Sequence, residues 1–439
     1  MTHDLAVQRQ LLQQVLANIG SFIELDGANL TFHSTPMWLR GVGWMIETSL
    51  YDLTTYRGPS ADLAVVPENM IVDAGQVETR LSAAVAELRR PGAVGQALCQ
   101  PLEVTFGIPA ADYQESLFDP APQDRARRET SLAVMQERFE DVADRFVRIY
   151  GLQLPRHMAV FAAFFDSLND FEQRGMEELG LRQGGITDYF QTGGLDLKGR
   201  DGLDERLESR FRKDPPEFVT VMHGNTDGLH YGLWYDDPAE PPSFVAHNYA
   251  RDSAETWTSD MPTPLAQVHQ RLNDCDDEAR YDQEHDTPQS RWRRYAVRRA
   301  VEAFAGADRQ AQEQTGISRW AQSNRPAIVG SLGPALPSDA GDPRGSYEQK
   351  EYRYQAYVTR SPEVSVMVEE AEQELRNGKS AFALVLGREL HWIDIDDYRA
   401  TSLRLLTAAY RTLGRNALAE IAAIHHAHRD LPSVAILTK

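Results

Sequence analysis

Asp214-Pro215-Pro216-Glu217-Phe218, running on to Val245-Ala246-His247-Asn248, is the stretch whose reading decides the fold. Adjacent prolines exclude helix, because each fixes φ and lacks an N–H, and Pro216 holds Pro215 extended. Phe218 to Met222 is rich in β-branched and apolar residues and predicts a strand. Asn225-Thr226-Asp227-Gly228 predicts a tight turn, with Gly228 supplying a positive φ. Leu229 to Tyr235 predicts a second strand, with Leu229, Tyr231, Leu233 and Tyr235 on one face and His230 and Trp234 on the other. A proline-stiffened loop, Asp236 to Pro242, leads to a third strand over Ser243 to His247. Read locally, the block is an antiparallel β-meander.

Outward from the meander the periodicity changes. Leu132, Met135, Phe139, Val142, Phe146 and Ile149 recur at spacings of three and four and predict a helix. Thr130 or Ser131 is placed to cap its start and Gly151 its end. Leu152-Gln153-Leu154-Pro155 follows, then a second helix through Met158, Phe161, Phe164, Phe165 and Leu168. Upstream, Ser116 to Asp124 contains Pro120 and Pro122 and reads as a linker, so a domain boundary is placed near residue 125. Further back, Thr2 to Ile19 and Val77 to Arg89 predict helices, and Phe22 to Leu25 with Asn29 to His33 predicts a hairpin around Asp26-Gly27. Trp38 to Thr55 has no decisive period.

Downstream, Thr263 to Leu272 and Ser290 to Ala305 predict helices. The acidic run between them (Asp274, Asp276, Asp277, Glu278, Asp282, Glu284, Asp286) reads as an exposed, mobile connection. Ser331 to Ser346 is a Gly/Pro/Ser/Asp loop. Pro362 to Leu375 predicts a helix ending at Asn377-Gly378, and Ala381 to Trp392 a buried one. A terminal helix opens at Asp396 or Asp397, with a break at Gly414.

Composition excludes several classes. In 439 residues the 45 Lys and Arg are outnumbered by 65 Asp and Glu, a formal charge of −20, which repels phosphate backbones. The candidate basic patch, Arg291, Arg293, Arg294, Arg298 and Arg299, reads as a solvated helix face, so direct nucleic-acid binding is not expected and a basic protein partner fits better. No apolar run is long enough for a bilayer and no secretion signal opens the chain, so a cytoplasmic location is the default. Only Cys99 and Cys275 are present, which leaves no disulfide framework and no cysteine zinc site.

Several separate blocks resemble one family. The unit Tyr150-Gly151-Leu152-Gln153-Leu154-Pro155, the block Pro215-Pro216-Glu217-Phe218 with Leu229-His230-Tyr231, the run Leu384-Val385-Leu386-Gly387, and the segment Tyr410 to Leu413 with Arg415-Asn416 and Leu418-Ala419-Glu420-Ile421 are similar, in order and spacing, to the histone PARylation factor family. The likeness covers residues 130–435; residues 1–125 match nothing in it. It implies a non-enzymatic protein that docks on a DNA-damage-activated poly-ADP-ribose polymerase and lends it a glutamate as base for a serine hydroxyl. NAD would then enter only through the partner enzyme, and this chain would need no cofactor of its own. The resemblance places the family's Tyr-Arg contact pair on Tyr352-Arg353. Arg353 would bind a carboxylate or pyrophosphate bidentately; the plainer alternative is a core tyrosine beside a surface arginine. Counted back from Gly387, the family's glutamate falls on Asn377, which cannot act as a base. Glu374 and Glu372, just upstream, are the carboxylates a small shift would substitute.

A second likeness, of the Leu-Pro-helix unit, is to immunity proteins of the SUKH group, which would make the chain an acidic antitoxin for a basic toxin. Other constellations carry less. His425-His426-x-His428 has helical metal spacing but reads as an exposed helix end, and no metal site is expected. His230 and His247 read as ordinary sheet positions. Gly184-Gly185 and Gly193-Gly194 lack a strand-Gly-helix context. No Gly-x-Ser-x-Gly elbow or paired acidic site supports intrinsic transferase activity. The expectation is therefore an α+β chain: a small antiparallel β-meander covered by helices, with an extra N-terminal α+β domain, acting on an ADP-ribosyltransferase or an ADP-ribosylated protein.

Overall fold

The computed structural model describes residues 22–25, 28–39, 43–52, 57–67, 122–259, 261–281, 288–330 and 332–439. The helices expected over Thr2–Ile19 and Val77–Arg89 lie outside these residues. The chain divides into two compact units. The first takes in the described residues of Met1–Ser131, Asp166–Leu179 and His269–Ala303, and the second comprises Leu132–Phe165, Gly180–Val268 and Phe304–Lys439.

In the first unit, β1 (Phe22–Leu25), β2 (Ala28–Leu39), β3 (Gly43–Asp52) and β4 (Arg57–Pro67) form an antiparallel sheet in chain order. The expected hairpin is present, with Leu25 opposite Ala28. The undecided stretch from Trp38 contains all of β3, whose register against β2 runs from Leu39↔Gly43 to Leu30↔Asp52. The first part of the acidic run is corrected, while Asp282, Glu284 and Asp286 lie outside the described residues. Asp274, Asp276, Asp277 and Glu278 belong to a helix over Pro264–Tyr281, and Asp276 accepts from Arg294 at 2.8 Å and Arg298 at 2.7 Å. Arg293 is buried against Glu178. Arg293, Arg294 and Arg298 are thus paired with carboxylates of neighbouring helices rather than solvated, since opposite charges lower each other's desolvation cost.

The second unit holds the meander. The helix expected to start at Thr130 or Ser131 begins earlier: α1 spans Pro122–Tyr150. Pro122 is tolerated there because the first helical N–H groups have no intrahelical partner, and Thr130 Oγ1 donates back to Ala126 O at 2.8 Å, inside the helix. Gly151 ends α1 at φ 65°, its N–H reaching Val147 O at 2.8 Å. The second helix, α2, spans His157–Asp166. The sheet is five-stranded and antiparallel, in the order β10-β9-β8-β7-β5. Its centre is β7 (Phe218–His223), β8 (Leu229–Trp234) and β9 (Phe244–Tyr249). Asp227 and Gly228 both have positive φ, 45° and 70°, the pair of left-handed residues that a tight hairpin turn demands. The edge strands β5 (Arg182–Gln183) and β10 (Thr256–Thr258) are too short to carry a period-two signal, and the sequence did not mark them.

Every residue of β7 and β8 is buried, so both faces of the meander are covered. Phe218, Trp234, Phe244, Ala246 and Leu332 form one apolar cluster. Five helices follow: α6 (Tyr347–Val358), α7 (Glu363–Arg376), α8 (Ala381–Ile393), α9 (Asp396–Thr412) and α10 (Asn416–Ala427), α3 to α5 being Asp170–Glu178, Pro264–Tyr281 and Pro288–Thr315. The break at Gly414 falls where expected, at φ 74°. A Cβ at Gly387 would come within 3.0 Å of Leu406, and Ser402 Oγ donates to Gly387 O at 2.8 Å, so glycine is what lets α8 and α9 approach. The protein is α+β, as read from sequence, and no helix among the described residues is long and apolar enough to cross a membrane.

Candidate functional site

The sequence blocks meet at a buried ion pair. Glu217, from the double-proline block, accepts from Arg388 Nη1 at 2.8 Å and from Tyr410 Oη at 2.8 Å. Arg388 follows Gly387 directly, and Tyr410 opens the terminal block. Gly151 lies against Ala417, where a Cβ would stand 2.9 Å from the alanine's own. Glu217, Arg388 and Tyr410 are all at most 4% exposed, so their convergence organises the interior rather than a surface. Taking one partner away from such a pair strands a charge in the core at a cost of about 3–5 kcal/mol.

Around α6 and α7 lies a cavity of about 430 Å³, walled by Arg344, Tyr352, Arg353, Val366, Met367 and Phe382 among others. Ser346 starts α6 with a capping box: its hydroxyl accepts from Gln349 N–H while the Gln349 side chain accepts from Ser346 N–H. Consecutive helical residues point about 100° apart, so neighbours in sequence can differ in exposure. Tyr352 is 58% exposed and Arg353 only 2%. The sequence reading of a core tyrosine beside a surface arginine is therefore inverted. Arg353 does grip a carboxylate bidentately, but the carboxylate is the chain's own Glu389: Nε donates to Oε2 at 2.6 Å and Nη2 to Oε1 at 2.7 Å. Tyr357 Oη adds a third bond to Glu389 Oε2 at 2.6 Å, and Val329 N–H a fourth to Oε1 at 3.1 Å. Burial alone would lower the Arg353 guanidinium, but the hydrogen bonds and charge of Glu389 outweigh it and hold its pKa above the ordinary value. Burial first, then the Glu389 charge, pushes the Tyr357 phenol well up, so it stays a donor.

The candidate carboxylates are also engaged. Glu374 accepts from Arg344 Nη2 at 2.7 Å, and Glu370 from Arg344 Nη1 at 2.5 Å. Glu372 pairs with Arg404. Asn377, the position reached by counting back from Gly387, is the C-cap of α7, and Gly378 follows at φ 77°. Arg344 links the two candidates: its guanidinium bonds Glu374, and its carbonyl accepts from Arg353 Nη1 at 2.5 Å. Arg344 also lies over the Phe382 ring at 3.9 Å. Sequence reading missed Arg344, Tyr357 and Glu389. A signal for Glu389 existed: Arg388-Glu389 interrupts an otherwise apolar run, and charges inside such a run are rarely left unpaired.

Other expectations are settled by placement. His425 is buried, not an exposed helix end; its ring lies 5.3 Å from that of His391, and burial pushes both pKa values well down. Among the described residues no group of His, Cys, Asp or Glu is arranged to hold a metal ion. His230 contacts Asp214 at 3.1 Å rather than His247, an ordinary core role. Gly184-Gly185 does follow a strand, β5, and precedes a turn of 3₁₀ helix over Gly185–Phe190. That context was absent from the sequence reading because a two-residue strand has no pattern.

Residues 141–280 match the family model described as Histone PARylation factor 1. Curated proteins of that name are also similar to part of this chain. The one from Danio rerio is 30% identical over 115 residues, which is 26% of this chain and 32% of that protein. The one from Mus musculus is 32% identical over 114 residues, covering 25% and 33%. The one from Bos taurus is 36% identical over 106 residues, covering 23% and 30%. Through this segment the chain is similar to the histone PARylation factor family. It spans about a third of the length of the curated relatives it matches. The matched segment contains the meander and Glu217, whereas Tyr352, Arg353, Glu372 and Glu374 lie beyond it.

Proposed function

We propose that this chain is a non-enzymatic accessory protein that docks on an ADP-ribosyltransferase, or on an ADP-ribosylated target, and modulates protein ADP-ribosylation. The likeness to the histone PARylation factor family supports the general role. The observation that carries the docking part is the cavity beneath Tyr352, where an exposed phenol stands on a wall of Val366, Met367 and Phe382. Aromatic side chains at the rim of a partly apolar recess are the usual anchors of a protein contact. Tyr352 is assigned the contact. Arg353 is a positioning residue, since its guanidinium is consumed by Glu389.

Within this reading Glu374 is the carboxylate that serves a serine hydroxyl, which is a poor nucleophile until its proton has an acceptor in hydrogen-bond reach. NAD is held by the partner enzyme. Glu374 must exchange its bond to Arg344 for the serine on docking, and Glu372 must leave Arg404 to take the same part. Capture of an NAD-loaded poly-ADP-ribose polymerase by the full chain tests the proposal. Wild type is expected to capture it and Tyr352→Ser to lose capture while remaining folded. Glu374→Gln should capture normally but lower serine-linked modification. Absence of capture by wild type ends the docking reading; unchanged serine modification in Glu374→Gln removes the base from it.

A further inference from the structure

A second cavity, of about 530 Å³, is enclosed by β5, residues 208–212 and the C-terminal tail 428–435. Its wall carries Arg182, Arg210, Arg212, Arg251 and Arg429 against Asp188, Glu208 and Asp430. This excess of positive charge is notable in a chain of net charge −20.

The acids are largely spent. Glu208 accepts from Ser209 Oγ at 2.6 Å and from the N–H groups of Ile436 and Leu437 at 2.8 and 2.9 Å, which ties down the tail. Asp430 pairs with Arg399 at 2.8 Å and Arg212 at 3.0 Å. Burial, then the Glu208 charge, pushes the Asp188 carboxyl up to about 6, with Arg182 opposing.

The arginines divide differently. Arg212 and Arg429 are paired with Asp394. Arg210 is buried, and its donors go only to the carbonyls of Arg206, Pro215 and Phe218, at 3.1, 2.9 and 2.7 Å. No carboxylate is hydrogen-bonded to it, so it stands as a fixed positive charge in the wall. Arg182 and Arg251 are exposed and make no ion pair or side-chain hydrogen bond with any described residue. Two free guanidiniums lining a recess backed by a third suit a phosphate group, whose oxygens match the guanidinium fork. The volume falls within the range of small-molecule sites and leaves room for more than one phosphate.

We propose that this cavity binds a small diphosphate-bearing ligand, gripped by Arg182 and Arg251 with Arg210 as the fixed charge behind them. The inference stands apart from the docking reading, since no residue of the first cavity takes part.

Titration calorimetry of the full chain with inorganic pyrophosphate tests it, with orthophosphate as a second titrant. Pyrophosphate is expected to bind one per chain, more tightly than orthophosphate. Arg182→Ala and Arg251→Gln should each weaken it about tenfold or more, the loss of a charge-assisted hydrogen bond. Arg411→Ala, at an exposed arginine outside the cavity, should leave it unchanged. Both substituted arginines are exposed, so the melting temperature of each variant should stay at the wild-type value and a loss of binding cannot be put down to unfolding. No binding, binding indifferent to both cavity arginines, or an equal loss in Arg411→Ala overturns the proposal.

Discussion

Two cavities of the second unit are lined by arginines and use them differently. Around α6 and α7, each arginine is committed to a carboxylate of the same chain: Arg353 to Glu389, Arg344 to Glu370 and Glu374. Around β5 and the C-terminal tail, Arg182 and Arg251 are uncommitted and Arg210 is held only by carbonyls. A guanidinium locked to a buried carboxylate builds a wall; one left free at a recess is available to an anion. The second cavity carries five arginines to the first one's two, and following each one to its partner separates the sites further than the count does.

The contrast breaks most visibly at Glu389. Glu389→Ala strands Arg353 in the interior and also removes the acceptor of Tyr357 and Val329, so unfolding free energy should fall by about 3–5 kcal/mol in urea denaturation. A loss below about 1 kcal/mol would show that Arg353 escapes to solvent and that the first cavity is softer than its geometry suggests.

A medium effect is expected at the second cavity through pH. The Asp188 carboxyl is raised to about 6, so between its ordinary value and 6 the folded state holds a proton the unfolded state lacks, and stability from this group falls as pH rises through that window. His223 is lowered to about 3 by burial, with Arg182 and His230 adding to the shift; its contribution runs the other way, falling as pH drops below 6.5. In the window between pH 4 and 6 the two oppose each other. Asp188→Asn removes one, so the slope of stability against pH should become more positive by about 1.4 kcal/mol per pH unit. Urea midpoints at pH 4.5 and 6 read this directly, and an unchanged slope would place Asp188 in water.

The smallest effect belongs to Arg344. Its pairs with Glu370 and Glu374 are half exposed, so Arg344→Ala should cost no more than about 1 kcal/mol. The same change frees Glu374. If Glu374 serves as a base for a docked enzyme, serine modification should rise in Arg344→Ala although stability barely moves. A fall instead would make Arg344 itself part of the contact.

Much of the architecture was written in local patterns. Pro215-Pro216, the β-branched run after it and Asp227-Gly228 specify the meander because φ restriction and left-handed turns are properties of single residues. The apolar period from Leu132 to Ile149 marks α1, and Gly414 the break between α9 and α10, for the same reason. The start of α1 was misjudged because prolines were read as a linker where one of them opens a helix. The acidic run was misjudged because its partners, Arg294 and Arg298, stand on another helix.

Charge partnership is the quantity that no window of sequence contains. The chain alone established an α+β fold with a meander at its centre, a strongly acidic composition and the blocks that resemble one family. Which side of α6 faces water, that Arg353 belongs to Glu389, that Glu217 joins Arg388 to Tyr410 across nearly two hundred residues, and that Arg182 and Arg251 are bonded to no carboxylate among the described residues were decided only in three dimensions. Backbone preference acts over a few bonds, whereas the fate of an ionised side chain depends on what the folded chain brings within about 4 Å of it.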